Sequence, residues 1–166
     1  MQLRLVQLGD AEAVRAIYNR EVAEGTNTFD LELRSLADQQ DWIARHQGAH
    51  PAIVATGPGA GGGEEVLGFA VVSPYRHRAA YATTVEDSVY VHHGHRDRGL
   101  GRALLEEILR LAGDHGFHAV MARISGENTG SVRLHQACGF ELVGVEREVG
   151  RKHGRWLDVV AMQRML

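Results

Sequence analysis

Between Val89 and Arg102 the sequence changes its period. Val89-Tyr90-Val91 has the β-branched and aromatic character of a strand, whereas Leu100, Leu104, Ile108 and Leu111 recur at helical spacing. The join is His92-His93-Gly94-His95-Arg96-Asp97-Arg98-Gly99-Leu100-Gly101, a basic turn punctuated by glycine. A further strand reads over His118–Ile124 and a further helix over Ser131–Cys138, so Thr83–Val91, Arg98–Asp114 and these two segments follow a βαβα order. That order constrains the fold to helices packed on a sheet.

The flanking segments extend this pattern. Gln2–Gln7 alternates as a strand, and Asp10 is placed to cap a helix that buries Val14, Ile17, Tyr18 and Val22. Glu24–Arg34 reads as a loop, after which Ser35 and Asp38 form a capping box for a helix with Leu36, Trp42 and Ile43 inward. Ile53–Thr56 and Val66–Ser73 are paired strands around the flexible segment Gly57–Gly63. In the central helix Glu106 and Glu107 are placed to pair with Arg110, and Gly113 with Gly116 supplies stop signals. Leu142–Val149 and Trp156–Met162, joined through Gly150–Arg155, close the sheet. With 166 residues, 44% of them hydrophobic, one domain over 1–166 is expected.

Composition also excludes functions. A formal charge of −3 without a long basic block argues against a nucleic-acid partner. The single Cys138 forms no internal disulfide, the N-terminal residues lack a signal-peptide pattern, and no apolar run approaches the roughly 20 residues that span a bilayer. A cytoplasmic protein with no membrane partner is expected.

The glycine turn lies where a helix N-terminus leaves backbone N–H groups free, which favours an anion. Arg96, Arg98 and Arg102 add charge-assisted donors, and Gly99 and Gly101 permit close approach, so a pyrophosphate is the natural guest. Alone, R-x-x-G-x-G is a weak signal. A second segment follows the next strand: Asn128-Thr129-Gly130-Ser131-Val132-Arg133-Leu134-His135-Gln136-Ala137-Cys138-Gly139-Phe140, a helix closed by a glycine C-cap. Together with Val89-Tyr90-Val91, these two segments resemble the GNAT superfamily of acyl-CoA-dependent N-acetyltransferases. Thr84–Val91, Arg133-Leu134-His135, Lys152–Val159, Ile17-Tyr18-Asn19 and Thr26–Phe29 are similar to its phosphinothricin and methionine sulfone or sulfoximine branch; the glycine-rich segment near Gly61 departs from it.

The resemblance implies an α/β (α+β) GNAT fold: a mixed sheet of six to seven strands, splayed after Val91 and flanked by four helices. It implies acetyl-CoA as co-substrate, with Val89, Tyr90 and Val91 bonding its acetyl and pantetheine parts. Arg96, Asp97, Arg98, Gly99, Leu100, Gly101 and Arg102 would hold the pyrophosphate, and Asn128 and Ser131 the pantetheine arm. An α-amino group has a pKa of about 8 and must lose a proton before it attacks. Glu86 matches the branch's general base, and His135 the position near the departing thiolate. The competing accounts are a carboxylate paired with an arginine and a histidine satisfying the backbone. Phe29, Arg76, Arg78, Tyr81, Lys152 and His153 match the acceptor side, where guanidinium groups suit carboxylate or phosphinate oxygens; solvated arginines and ordinary packing are the alternatives. A homodimer is implied by the resemblance alone.

His92, His93 and His95 raise a metal site, but neighbours on extended chain face opposite ways and a fourth ligand is missing, so no metal is expected. Cys138 reads as a buried thiol, and transfer is expected without an acyl-enzyme. Three rivals stand beside this reading. A dinucleotide oxidoreductase would need G-x-G-x-x-G at a first strand, which is absent. The others are a non-catalytic acyl-CoA-binding module and a GNAT enzyme acting on protein N-termini or antibiotics.

Overall fold

The computed structural model describes residues 1–59 and 62–166, so Ala60 and Gly61 of the glycine-rich segment lie outside the described residues. Among the described residues seven strands form one sheet: β1 (Gln2–Leu5), β2 (Ala52–Pro58), β3 (Glu64–Pro74), β4 (Thr84–Val91), β5 (Ala119–Ser125), β6 (Glu141–Lys152) and β7 (Arg155–Met165). Their order is β1-β2-β3-β4-β5-β7-β6, antiparallel throughout except β4 against β5. The helices are α1 (Ala11–Glu24), α2 (Leu36–Arg45), α3 (Leu100–Asp114) and α4 (Thr129–Ala137).

Two apolar clusters clamp the sheet. Leu104, Leu105, Ile108 and Ala112 of α3 bury against Val72, Val85, Val120 and Met162 on one face. Val14, Ile17, Tyr18 and Val22 of α1, with Ile43 of α2, cover Val54, Phe69 and Val71 on the other. Burial of each large apolar side chain contributes on the order of 1.5–3 kcal/mol, so these two faces fix where the helices lie. No described helix is long and apolar enough to cross a membrane.

Local signals are realised with corrections. Ser35 Oγ accepts from Asp38 N and Asp38 Oδ2 from Ser35 N, both at 3.1 Å, closing the expected box. Leu36 is nevertheless 43% exposed: the buried stripe of α2 runs through Gln39 and Ile43, and the first turn precedes the stretch on the sheet. Asp10 caps no N–H of α1 with its side chain; it pairs with Arg4 at 2.7 Å and accepts from Gln7 N at 2.7 Å. Glu107 pairs with Arg110 as expected, but Glu106 turns back to Arg102, both at 2.7 Å. β6 and β7 run through most of the expected connection to a two-residue turn at His153 and Gly154, with φ of 50° and 76°.

The splay begins earlier than expected. β4 and β5 pair only at Thr84–Ala119, Val85–Val120 and Glu86–Met121, whereas β4 stays on β3 as far as Val91–Gly68. β5 pairs with β7 along its whole length, Ala119–Ser125, and is drawn away with it. The gap therefore opens inside β4, after Glu86, and not after Val91.

Candidate active site

The strand-to-helix turn supplies the first element of the site. Asp97 and Gly99 both take left-handed backbone, with φ of 61° and 78°, which turns successive N–H groups toward one concavity. Asp tolerates that region through local hydrogen bonding, and a Cβ at Gly99 would meet no protein atom within 4 Å, so glycine there serves conformation and not packing. The first helical bond of α3 runs from Ala103 N to Gly99 O at 3.1 Å, leaving the N–H groups of the first turn ahead of the ladder. Gly101 does serve packing, since a Cβ there would lie 3.3 Å from Leu134 of α4.

This turn, the free edge of β4 and the start of α4 enclose a groove of about 340 Å³. Val89, Tyr90 and Val91 line it from the strand, Arg96, Asp97, Gly99, Leu100, Gly101 and Arg102 from the turn and helix, and Asn128 and Ser131 from α4. Arg98 is not in the lining. Arg96 is paired with Glu21, a buried carboxylate on α1 that also accepts from Asn27 Nδ2 at 2.6 Å. Asn128 caps α4 by accepting from Ser131 N at 3.0 Å and donates to Asn27 Oδ1 at 2.9 Å. Glu21 and Asn27 were not legible as site residues: Glu21 lies 75 positions from Arg96 and Asn27 lies 101 from Asn128. The donor set suits a long polyanionic ligand, with the first-turn amides of α3 at one end and the strand edge freed from β5 at the other.

Glu86 and His135 lie on opposite faces of the sheet. Val85, Val89 and Val91 face the α3 cluster and Tyr90 the α1 cluster, so alternation turns Asp87 toward α4 and Glu86 away from it. Glu86 is half-buried, and burial raises its carboxyl above the usual range against the opposing pull of Arg123 and Arg76. His135, 3% exposed, places Nδ1 2.7 Å from the Ser131 carbonyl and Nε2 3.0 Å from Asp87 Oδ2. Both ring nitrogens thus meet acceptors, a geometry that favours the imidazolium. Burial works against that charge, but the hydrogen bond and charge of Asp87, with the Ser131 carbonyl, raise the net pKa of His135. Asp87, which sequence reasoning passed over, keeps Oδ1 without a partner among the described residues, in a recess of about 60 Å³ shared with Ser125 and His135.

With this geometry in view, comparison with known proteins is decisive. Residues 12–140 match the acetyltransferase (GNAT) family. The chain belongs to that family. Its relatives include the L-methionine sulfoximine/L-methionine sulfone acetyltransferase of Pseudomonas paraeruginosa (strain DSM 24068 / PA7), 38% identical over 97% of this chain and 92% of that one. Among solved structures, a ribosomal-protein-alanine N-acetyltransferase from Brucella melitensis superposes with a TM-score of 0.94 at 34% identity, each chain fully covered. A phosphinothricin acetyltransferase from Sinorhizobium meliloti in complex with acetyl-CoA gives 0.92 at 37%, covering 99% of this chain and 88% of that one. The sequence-based assignment to a GNAT acetyltransferase, and the mixed α/β fold expected from it, both hold.

Within this GNAT domain the remaining expected site residues fall into two groups. Arg76, Arg78 and Tyr81 line one open depression after β3, where Tyr75 packs edge-on to Tyr81 at 5.6 Å and Arg76 stacks on Tyr75 at 4.8 Å. Phe29 lies against Gly150 of β6, whose bare backbone makes room for one edge of the ring. Lys152 and His153 are engaged by backbone instead: Lys152 Nζ, buried, donates to Glu21 O at 3.2 Å and Thr28 O at 2.8 Å, and His153 Nε2 lies 3.2 Å from Gly25 O. They brace the loop that carries Phe29. The His92 ring packs at a tilt against His93 and His95, with centroids 4.2 and 5.4 Å away, and Arg20 lies 3.2 Å from the His93 ring nitrogens. Among the described residues no three His, Cys, Asp or Glu side chains converge as a metal site. Cys138 is buried, and burial raises its thiol pKa.

Proposed function

We propose that this GNAT enzyme transfers acetyl from acetyl-CoA to the amino group of a small amino-acid-like acceptor of the phosphinothricin, methionine sulfone or methionine sulfoximine kind, with Glu86 as general base. The observation that carries the reading is the gap in the sheet: β4 loses β5 directly after Glu86, and the cofactor-type groove lies along the freed edge. Bound acetyl-CoA supplies an activated thioester. The N-terminus of α3, with Arg96 and Arg102 in the groove lining, would hold its phosphates, and Val89–Val91 would orient its arm by strand-like hydrogen bonds. The raised pKa of Glu86 suits it to accept a proton from the incoming ammonium, directly or through water. His135 lies across the gap on α4, where a protonated ring stabilises negative charge on the departing sulfur.

Arg76 and Arg78 after β3, with Phe29 and Tyr81 as walls, support an acceptor bearing two oxygen-rich groups. The names of relatives acting on methionine sulfoximine, methionine sulfone and phosphinothricin support the same class. The enzyme acts in the cytoplasm as one domain and as a homodimer. For the last, the support is the exposed apolar edge of β6 and β7, including Leu142, Val143, Val145 and Trp156. Release of free CoA, followed with methionine sulfone, phosphinothricin, methionine, an aminoglycoside and a peptide N-terminus, tests the acceptor. Faster reaction with the peptide or the aminoglycoside than with both oxidised amino acids would overturn the acceptor class while leaving acetyl transfer intact.

A further inference from the structure

The face that carries Glu86 holds a charged device that the cofactor and acceptor motifs do not include. Glu86 pairs in register with Met121, and Arg123 follows two residues on along β5, so all three point to the same face. Beyond Arg123 the sheet is low: its partner on β7 is Ala161, and the partner of Ala161 on β6 is Gly144. Over these two small residues the Arg123 guanidinium reaches β6 and makes two hydrogen bonds to Glu146, from Nη1 to Oε1 at 2.8 Å and from Nη2 to Oε2 at 2.6 Å. Helix α1 packs on β3 and β4, leaving this pair partly open, with 30% and 39% side-chain exposure. Arg76 follows the Ser73–Glu86 pair on the β3 side, and its charge acts on both Glu86 and Glu146, as does that of Arg123.

A bidentate carboxylate occupies two of the five guanidinium N–H donors and leaves the Nε edge available to a second anion. We propose that Arg123, held in orientation by Glu146, determines specificity by taking the acceptor's carboxylate beside Glu86, with Arg76 left for the second oxygen-rich group. The inference rests on the acceptor class proposed above. It assigns Glu146 a positioning role with a second consequence. An arginine without a counter-charge beside Glu86 would weaken it as a base, and Glu146 offsets that charge while the guanidinium stays in place. The other charges that act on Glu86 are Asp87, next to it on the strand but on the opposite face, and Arg76 after β3.

The test compares methionine sulfone with its α-carboxamide, which keeps the amine and loses the carboxylate. CoA release is followed for wild type, Arg123→Ala, Arg123→Lys and Glu146→Gln, with calorimetric acetyl-CoA affinity as the check on folding. Arg123→Ala should lower kcat/KM for the acid roughly 10- to 100-fold, mainly through KM, lower that for the carboxamide far less, and leave acetyl-CoA affinity nearly unchanged. Arg123→Lys should recover part of the loss, because a point charge replaces the fork. Glu146→Gln should move the acidic limb of the kcat/KM profile to lower pH, because the charge of Glu146 raises the Glu86 pKa and that of Arg123 lowers it. Equal losses on acid and carboxamide, or no loss on either, would overturn the role of Arg123. If wild type acetylates neither compound yet acts on a peptide N-terminus, the acceptor class fails and this inference falls with it.

Discussion

Replacing Asp87 tests how the buried pair with His135 is charged. The two side chains are only 1% and 4% exposed, and both nitrogens of His135 meet acceptors, so the ring holds two protons where Asp87 is ionised. Removing one partner from a buried pair costs about 3–5 kcal/mol, because the other is left uncompensated. Asp87→Ala should fall in that range. Asp87→Asn should cost about 1–2 kcal/mol, since the ring can release a proton and accept from the new amide at Nε2 while Nδ1 still donates to Ser131 O. For a chain of this size those losses correspond to roughly 6–20 °C and 2–8 °C in Tm. The sign of the pH dependence follows from the raised pKa of His135. Its stabilisation is fully present below the unfolded histidine value of about 6.5 and is lost as pH rises through the folded value. The gap between wild type and Asp87→Asn should therefore narrow as denaturant unfolding is moved from pH 6 to pH 9. Equal destabilisation by Ala and Asn, or a gap that stays constant with pH, would refute the charged pair.

Gly99→Val should sharply weaken acetyl-CoA binding measured by calorimetry, because a β-branched residue resists the φ of 78° and crowds the pyrophosphate turn. Gly62→Val imposes the same strain at φ 81° in the glycine-rich loop and should leave affinity unchanged. Glu86→Gln should lower turnover by roughly 10²-fold at neutral pH, the loss shrinking as alkali deprotonates the amine unaided. Because burial raises the Glu86 pKa, the ionised carboxylate works against folding, and its favourable contribution is lost as pH rises through the folded value. Glu86→Gln should accordingly keep or raise Tm at pH 7, and a marked drop in Tm would remove that account.

What the sequence made legible was whatever repeats over a short span. The apolar positions of α1 and α3, the capping box of α2 and the glycine closing α4 at φ 83° depend on neighbours within a turn or two, and they fall where expected. The cofactor-type residues are nearly contiguous, so a motif could name them; of the turn arginines only Arg98 falls outside the groove lining. The contacts that the sequence did not display depend on distant partners. Lys152 looks from its neighbours like a polar contact for an acceptor, yet its ammonium meets carbonyls 131 and 124 positions away. Arg123 finds Glu146 only because β7 inserts between β5 and β6, a crossover that no local pattern displays.

The same register arithmetic explains how one strand serves two chemical tasks. Between Val85 and Val89 the chain carries Glu86, Asp87 and Ser88, three polar residues where a buried strand would ordinarily stay apolar. Strict alternation sends the first carboxylate to the open face beside Arg123 and the second to the closed face against His135. A one-residue slip would exchange them, burying Glu86 against His135 and exposing Asp87 to the arginines. Three β4–β5 pairs hold that register, the last of them at Glu86 itself, while β3 extends it to Val91. Glu86 and His135 are thereby held on opposite sides of one opening, with Asp87 committed to the histidine and Glu86 left to the arginines.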